Sequence, residues 1–214
     1  TAANNTGTAN TALGYQALTS NTSGYDNTAL GVNAMNDNTT GYGNVAIGKN
    51  ALFTNVANRY SIAIGNEAMR YADSTATGGL TYNTALGYQA LRGSSTAANN
   101  TGTANTAIGY QALTGNTSGY RNTAIGSEAG LSITSGWENV ALGYGTLNAS
   151  TTGLRNTAIG AVALSNNIGG NYNIGIGYGA LYENVENDGR IAIGYEAMRY
   201  ADSTATGSTT YNTA

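Results

Sequence analysis

A single Gly recurs through this chain at nearly constant spacing, always preceded by Ala-Leu, Ala-Ile or a close variant. It falls at Gly14, Gly31, Gly48, Gly65, Gly87, Gly109, Gly126, Gly143, Gly160, Gly177 and Gly194. Eight of the ten steps are 17 residues and the two around Gly87 are 22. Such a period constrains the fold before any local propensity does, because a short unit can bury a face only by stacking on its neighbours. A twelfth unit begins at Asn212-Thr213-Ala214. Residues 1–214 therefore read as one array of about twelve coils, a window from a longer repetitive protein.

Positions counted from that Gly carry a fixed pattern. Position −4 is Asn in ten of twelve units, with Ser61 and Arg190 the exceptions. Position −3 is always Thr, Val or Ile, the β-branched types that suit strands. Position −2 is Ala except Gly175, and −1 is always Ile or Leu. Position +3 is Ala except Thr146, and +4 is Leu or Met except Gly130. Gly inside every unit disfavours helix by about 1 kcal/mol against Ala. The pattern predicts an all-β parallel solenoid or β-roll, built from 17-residue coils with occasional 22-residue coils. Coils stack about 4.8 Å apart.

Side chains alternate across a strand. The larger −3 and −1 residues then share one face, and the Ala and Gly of −2 and 0 share the other. The expected core is the larger set, with Ile47, Ile108, Ile125, Leu142 and Ile159 at −1 and Leu113 at +4 on a second short strand. The Asn column at −4 is expected to stack as an amide ladder. At −7, Gly24, Gly41, Gly119, Gly136 and Gly153 are expected to make a sharp turn, since Gly tolerates positive φ. The strip of Ala46, Gly48, Ala107, Gly109, Ala124 and Gly126 is expected to be an interface with copies of the same chain, because monomers rarely expose long apolar strips. The alternative is one thick solenoid that buries both faces itself.

"NTAIG" and "NVAIG", each followed two residues later by "AL", resemble the "NSVAIG-xx-S" repeats in the YadA-type heads of trimeric autotransporter adhesins. The "NTAIGYQAL" style also resembles trimeric bacteriophage tail fibres, the closer likeness because the adhesin unit is shorter than 17 residues. The resemblance covers nearly the whole chain. It implies an intertwined or side-by-side homotrimer on a cell or virion surface, and it brings no catalytic residues.

Chemistry is sparse in the sequence. The chain has no His and no Cys, which removes the usual catalytic triads and zinc sites; no enzyme, metal or cofactor is expected. A net charge of −3 argues against nucleic acid, which needs a basic stripe. No apolar run is long enough to insert in a membrane. "GIGYG" at 175–179 lacks the helix of a nucleotide loop. The Glu183, Glu186 and Asp188 cluster lacks the ligand spacing of a calcium loop.

Aromatics form two columns. Tyr recurs at +1, and Tyr25, Tyr42, Tyr120 and Trp137 stand at −6. Rings with a polar tip suit either interfaces or sugar stacking. The five-residue insertions map to surface loops, which adds Asp73, Thr75, Asn99 and Asn100 to the candidate surface-binding residues. The expected function is a shaft or head segment of an extracellular trimeric fibre that presents or performs surface adhesion. Its partners are copies of itself and a cell-surface glycan or receptor. A glycan- or receptor-binding module is the alternative, and an ice-binding solenoid with stacked −3 Thr is the remote one.

Overall fold

The computed structural model describes residues 6–72, 78–96 and 100–200. It is an all-β parallel solenoid with no helix among these residues. Eleven three-residue strands take positions −3 to −1 of successive units. They are β1 (Thr11–Leu13), β2 (Thr28–Leu30), β3 (Val45–Ile47), β4 (Ile62–Ile64), β5 (Thr84–Leu86), β6 (Thr106–Ile108), β7 (Thr123–Ile125), β8 (Val140–Leu142), β9 (Thr157–Ile159), β10 (Ile174–Ile176) and β11 (Ile191–Ile193). They form one parallel sheet in chain order. Each residue pairs with its equivalent one coil away, as Thr106 with Thr123 and Ala107 with Ala124. The 22-residue coils keep this register: Thr84 still pairs with Thr106. The extra residues are absorbed outside the strand.

The core is built from the other face than the sequence pattern suggests. Ala46 and Ala107 at −2 are fully buried and Ala124 is 1% exposed. They pack with the +3 Ala residues and the +4 Leu or Met residues, among them Leu113 at 0%. Ile47, Ile108 and Ile159 are only half-buried, and Ile125 and Leu142 are each 37% exposed. Of the expected core set only Leu113 lies inside. The reason is coil thickness. With Leu or Met already projecting inward at +4, the opposite wall has room for a methyl group and little more. Gly175 marks the limit: a Cβ there would stand 3.2 Å from Leu164 Cγ and 3.1 Å from the Ala180 carbonyl oxygen.

The alanines of the expected interface strip are therefore interior, and its glycines are half-buried. Its glycines are used within the coil stack. Gly109 has φ +133°, and a Cβ on it would come 2.5 Å from the carbonyl oxygen of Gly126. Gly48 and Gly126 stand in the same relation to the next coil. Close approach and a left-handed backbone both demand Gly at this position.

The −7 glycines also differ from expectation. None of Gly24, Gly41, Gly119, Gly136 and Gly153 has a positive φ. They are small because the next coil is near: a Cβ on Gly24 would meet the Gly41 carbonyl oxygen at 2.3 Å. The left-handed turns fall instead at −5, +2 and +4, on non-Gly residues such as Arg121, Gln111 and Leu113. For the same reason +4 is not on a second strand. Alternating left-handed residues make this segment a turn, held to the next coil by bonds such as Leu113 N to Ala129 O (3.0 Å).

Two columns of buried Asn tie the coils together. At −4, Asn122 Nδ2 donates to Asn105 Oδ1 (3.2 Å) and to the Gly136 carbonyl (2.8 Å), while its backbone N–H also reaches Asn105 Oδ1 (2.9 Å). Asn139 repeats the arrangement on Asn122. The expected amide ladder is present. A second column stands at −10, three residues before the −7 position, with Asn21, Asn38, Asn55, Asn116, Asn167 and Asn184 all buried. Asn38 Nδ2 donates to Asn21 Oδ1 (3.0 Å) and to the Gly41 carbonyl (3.2 Å). Ile133 interrupts this column in the coil where Gly130 replaces Leu at +4. A Cβ on Gly130 would lie 3.0 Å from Ile133 Cδ1, so the Ile fills the volume that the missing Leu leaves.

Two outcomes follow. Replacing Ala107 with Leu overpacks the coil itself and destabilises it by about 1–3 kcal/mol, seen as a lower melting midpoint whatever the oligomeric state. Replacing Asn122 with Ala strands the Asn139 backbone N–H without its Oδ1 acceptor. The cost is about 1–3 kcal/mol for a buried unsatisfied donor, read from urea unfolding.

Candidate interaction surface

With the Ala face inside, the −3 and −1 residues point outward along the whole sheet. Thr84, Thr106, Thr123, Val140 and Ile174 at −3 are half-buried by their neighbours above and below. At −1, Leu30, Leu86, Ile125 and Leu142 are 37–45% exposed. Ten rungs at about 4.8 Å and a span of about 13 Å from −4 to 0 give a flat strip of roughly 600 Å². That matches the largest apolar patches of ordinary monomers, and here it is a regular lattice of β-branched and aliphatic side chains. Sequence reasoning missed this strip because it placed the larger residues inside.

Columns of larger side chains border the strip. On one side the +1 tyrosines are exposed, with Tyr88 on Tyr110 (centroids 5.5 Å apart, 10° between planes) and Tyr178 on Tyr195 (5.4 Å, 13°). On the other side run the −6 and −5 columns. Tyr25 stacks on Tyr42 (4.3 Å, 12°), and Tyr120 stacks on Trp137 (5.5 Å, 3°). Arg155 lies over Trp137 at 4.5 Å. The four ring candidates are thus brought into two pairs, each covering one of its partner's faces. A stack of this kind stabilises coil-on-coil packing by about 0.5–1.5 kcal/mol beyond area burial.

Charge on this edge is also laddered. Glu138 accepts from Arg121 Nη1 and from Arg155 Nε, both at 3.0 Å, and Arg155 Nη1 donates to Tyr172 Oη at 3.0 Å. The Arg155 hydrogen bond, then that of Arg121, holds the Glu138 carboxyl below the usual carboxylate range. Elsewhere Glu67 pairs with Arg70 and, at 3.4 Å, with Arg92; Glu196 pairs with Arg199. These Glu and Arg residues at +2 and +5 form the surface pairs their spacing suggests.

The remaining candidates are dispersed. Asn100 is 3% exposed. Its Oδ1 accepts from Ser94 N (2.9 Å) and its Nδ2 donates to the carbonyls of Tyr71 and Ser94 (each 2.7 Å). It clips a widened coil shut and presents nothing to a surface ligand. Asp73, Thr75 and Asn99 lie outside the described residues. Asp188, from the acidic cluster, has its Oδ1 engaged by Asn171 N (2.6 Å) and Nδ2 (3.1 Å). Among the described residues no group of three or more acidic side chains is placed to hold a metal ion. One cavity of about 10 Å³, beside Asn83, Asn100 and Asn116, is no larger than a single water.

No protein-family model, curated protein or solved structure matches the chain.

Because Glu138 is depressed, the ion-pair contribution is present above its unfolded pKa and is lost as pH falls through its lower folded pKa. An NMR titration is expected to find the Glu138 midpoint below that of an isolated Glu, and Arg155→Ala is expected to move it upward.

Proposed function

We propose that the chain is a structural segment of an extracellular fibre, in which copies pack side by side along the outward −3/−1 strip and hold an adhesive surface away from a cell or virion. The carrying observation is the strip itself. It is flat, unbroken over eleven strands and apolar or Thr-lined throughout, while the coil interior is already full. Three copies is the number implied by the resemblance to trimeric fibres. Burying the strip removes exposed Leu and Ile from water at roughly 25 cal/mol per Å², and the ladder of identical coils supplies the stiffness a shaft requires. The stacked, Arg-covered rings of the −6 column support a role in rigidity over one in sugar stacking.

The outward Thr column gives a second reading on the same strip, the ordering of water against ice. Val45, Ile62, Val140, Ile174 and Ile191 interrupt its Thr array, and thermal hysteresis in a freezing assay is the measurement that decides for it.

Light scattering on the purified chain is expected to give about three times the 21.7 kDa chain mass. Ile108→Glu combined with Ile125→Glu is expected to reduce it to one copy with the far-ultraviolet circular dichroism unchanged. A wild-type chain that stays monomeric at high concentration rules the fibre reading out.

A further inference from the structure

The strip alone is small for a specific interface. Its roughly 600 Å² falls short of the about 800 Å² per partner typical of stable complexes, so the flanking columns must take part. Those columns, −5 on one side and +1 on the other, are complementary in size in seven of eleven coils. Where −5 is small, at Ala9, Gly43, Ala104 and Gly189, the +1 residue of the same coil is Tyr15, Lys49, Tyr110 and Tyr195. Where −5 is the large Tyr60, Arg121 or Arg155, +1 is Asn66, Ser127 or Ala161. Three coils are large on both sides, and one, Asp26 with Val32, is intermediate on both.

One small residue has a reason within the chain, since a Cβ on Gly43 would lie 2.8 Å from the Tyr60 ring of the next coil; the distance between the two columns leaves the other pairs without one. The extended stretch from −4 to 0, about 13 Å, separates the two columns. Ring contacts run along each column, Tyr60 on Tyr82 at −5 and Tyr88 on Tyr110 at +1, and among the described residues none crosses the strip. Two side chains that never meet in one copy can compensate each other's volume only by meeting between copies.

We infer that the −5 column of one copy packs on the +1 column of the next copy at the same level, so that the two columns form a self-recognition edge that fixes parallel, level assembly. This rests on the fibre reading above. The partner is a second copy of this chain in the same orientation. An edge pairing of unlike columns is heterologous and satisfies every copy only when the ring closes. An antiparallel pair would instead set like columns together. About the central coil it would place Ala104 on Ala104, small against small, and leave a gap.

Cysteine pairs test this directly, since the chain has no Cys of its own. Ala104→Cys with Tyr110→Cys, both exposed positions, is oxidised with copper-phenanthroline and run on a non-reducing gel beside a light-scattering mass. A disulfide needs Cα atoms within about 7 Å, so this pair cannot close inside one coil. The expected result is covalent linkage between copies, several-fold above that of Ala104→Cys alone. It is also expected to exceed several-fold that of Ala104→Cys with Tyr144→Cys, two coils or about 10 Å out of level. An assembled protein in which Ala104→Cys alone, or the out-of-level pair, links equally well overturns the edge and leaves the fibre standing. An assembled protein in which the matched pair fails to link does the same. A monomeric mass overturns both.

Discussion

Everything in this molecule depends on one coil lying level on the next. The parallel ladder repeats at every strand with equivalent residues opposite one another, and two columns of buried Asn extend it beyond the strands. An Asn at −4 is donor, acceptor and spacer at once. Its Oδ1 takes two N–H groups from the following coil, and its Nδ2 reaches both the preceding Asn and a turn carbonyl ahead. A buried amide is stabilising only when it is fully bonded. In the −4 run from Asn105 to Asn156, identical amides meet that condition through their neighbours. This explains why such polar residues occupy the inside of a coil too thin to bury much else.

The thinness has consequences at both surfaces. Inside, a methyl group faces a Leu or Met, and the stacked glycines let successive backbones approach until a single added carbon would collide with the next coil's carbonyl. Substitutions within the core are compensated locally, as Ile133 compensates Gly130. Outside, the β-branched and aliphatic residues that an ordinary domain would bury have no interior to enter. They form instead a regular apolar surface bordered by stacked rings and an Arg–Glu–Arg chain. In a solenoid of this kind stability comes from coil-on-coil contacts along the axis, which leaves the lateral surface free to serve association.

The sequence by itself determined the period, the parallel register, the strand position and the Asn column at −4. Each is a repeat property, and a 17-residue repeat with β-branched residues at one fixed place has few ways to stack. The three-residue spacing of Glu67 and Arg70 likewise points to their pairing. It also held, unread, the second Asn column, which recurs three residues before position −7. Only the tertiary structure decided which face of the strand is inside. Alternation divides residues into two sets and does not say which set the coil can contain. That answer depends on the distance between opposing walls, set by left-handed residues such as Leu113 and Gln111, whose identities give no sign of their conformation. The same wall spacing made Ala107 core and Ile108 surface, and so moved the candidate interface from the small residues to the large ones.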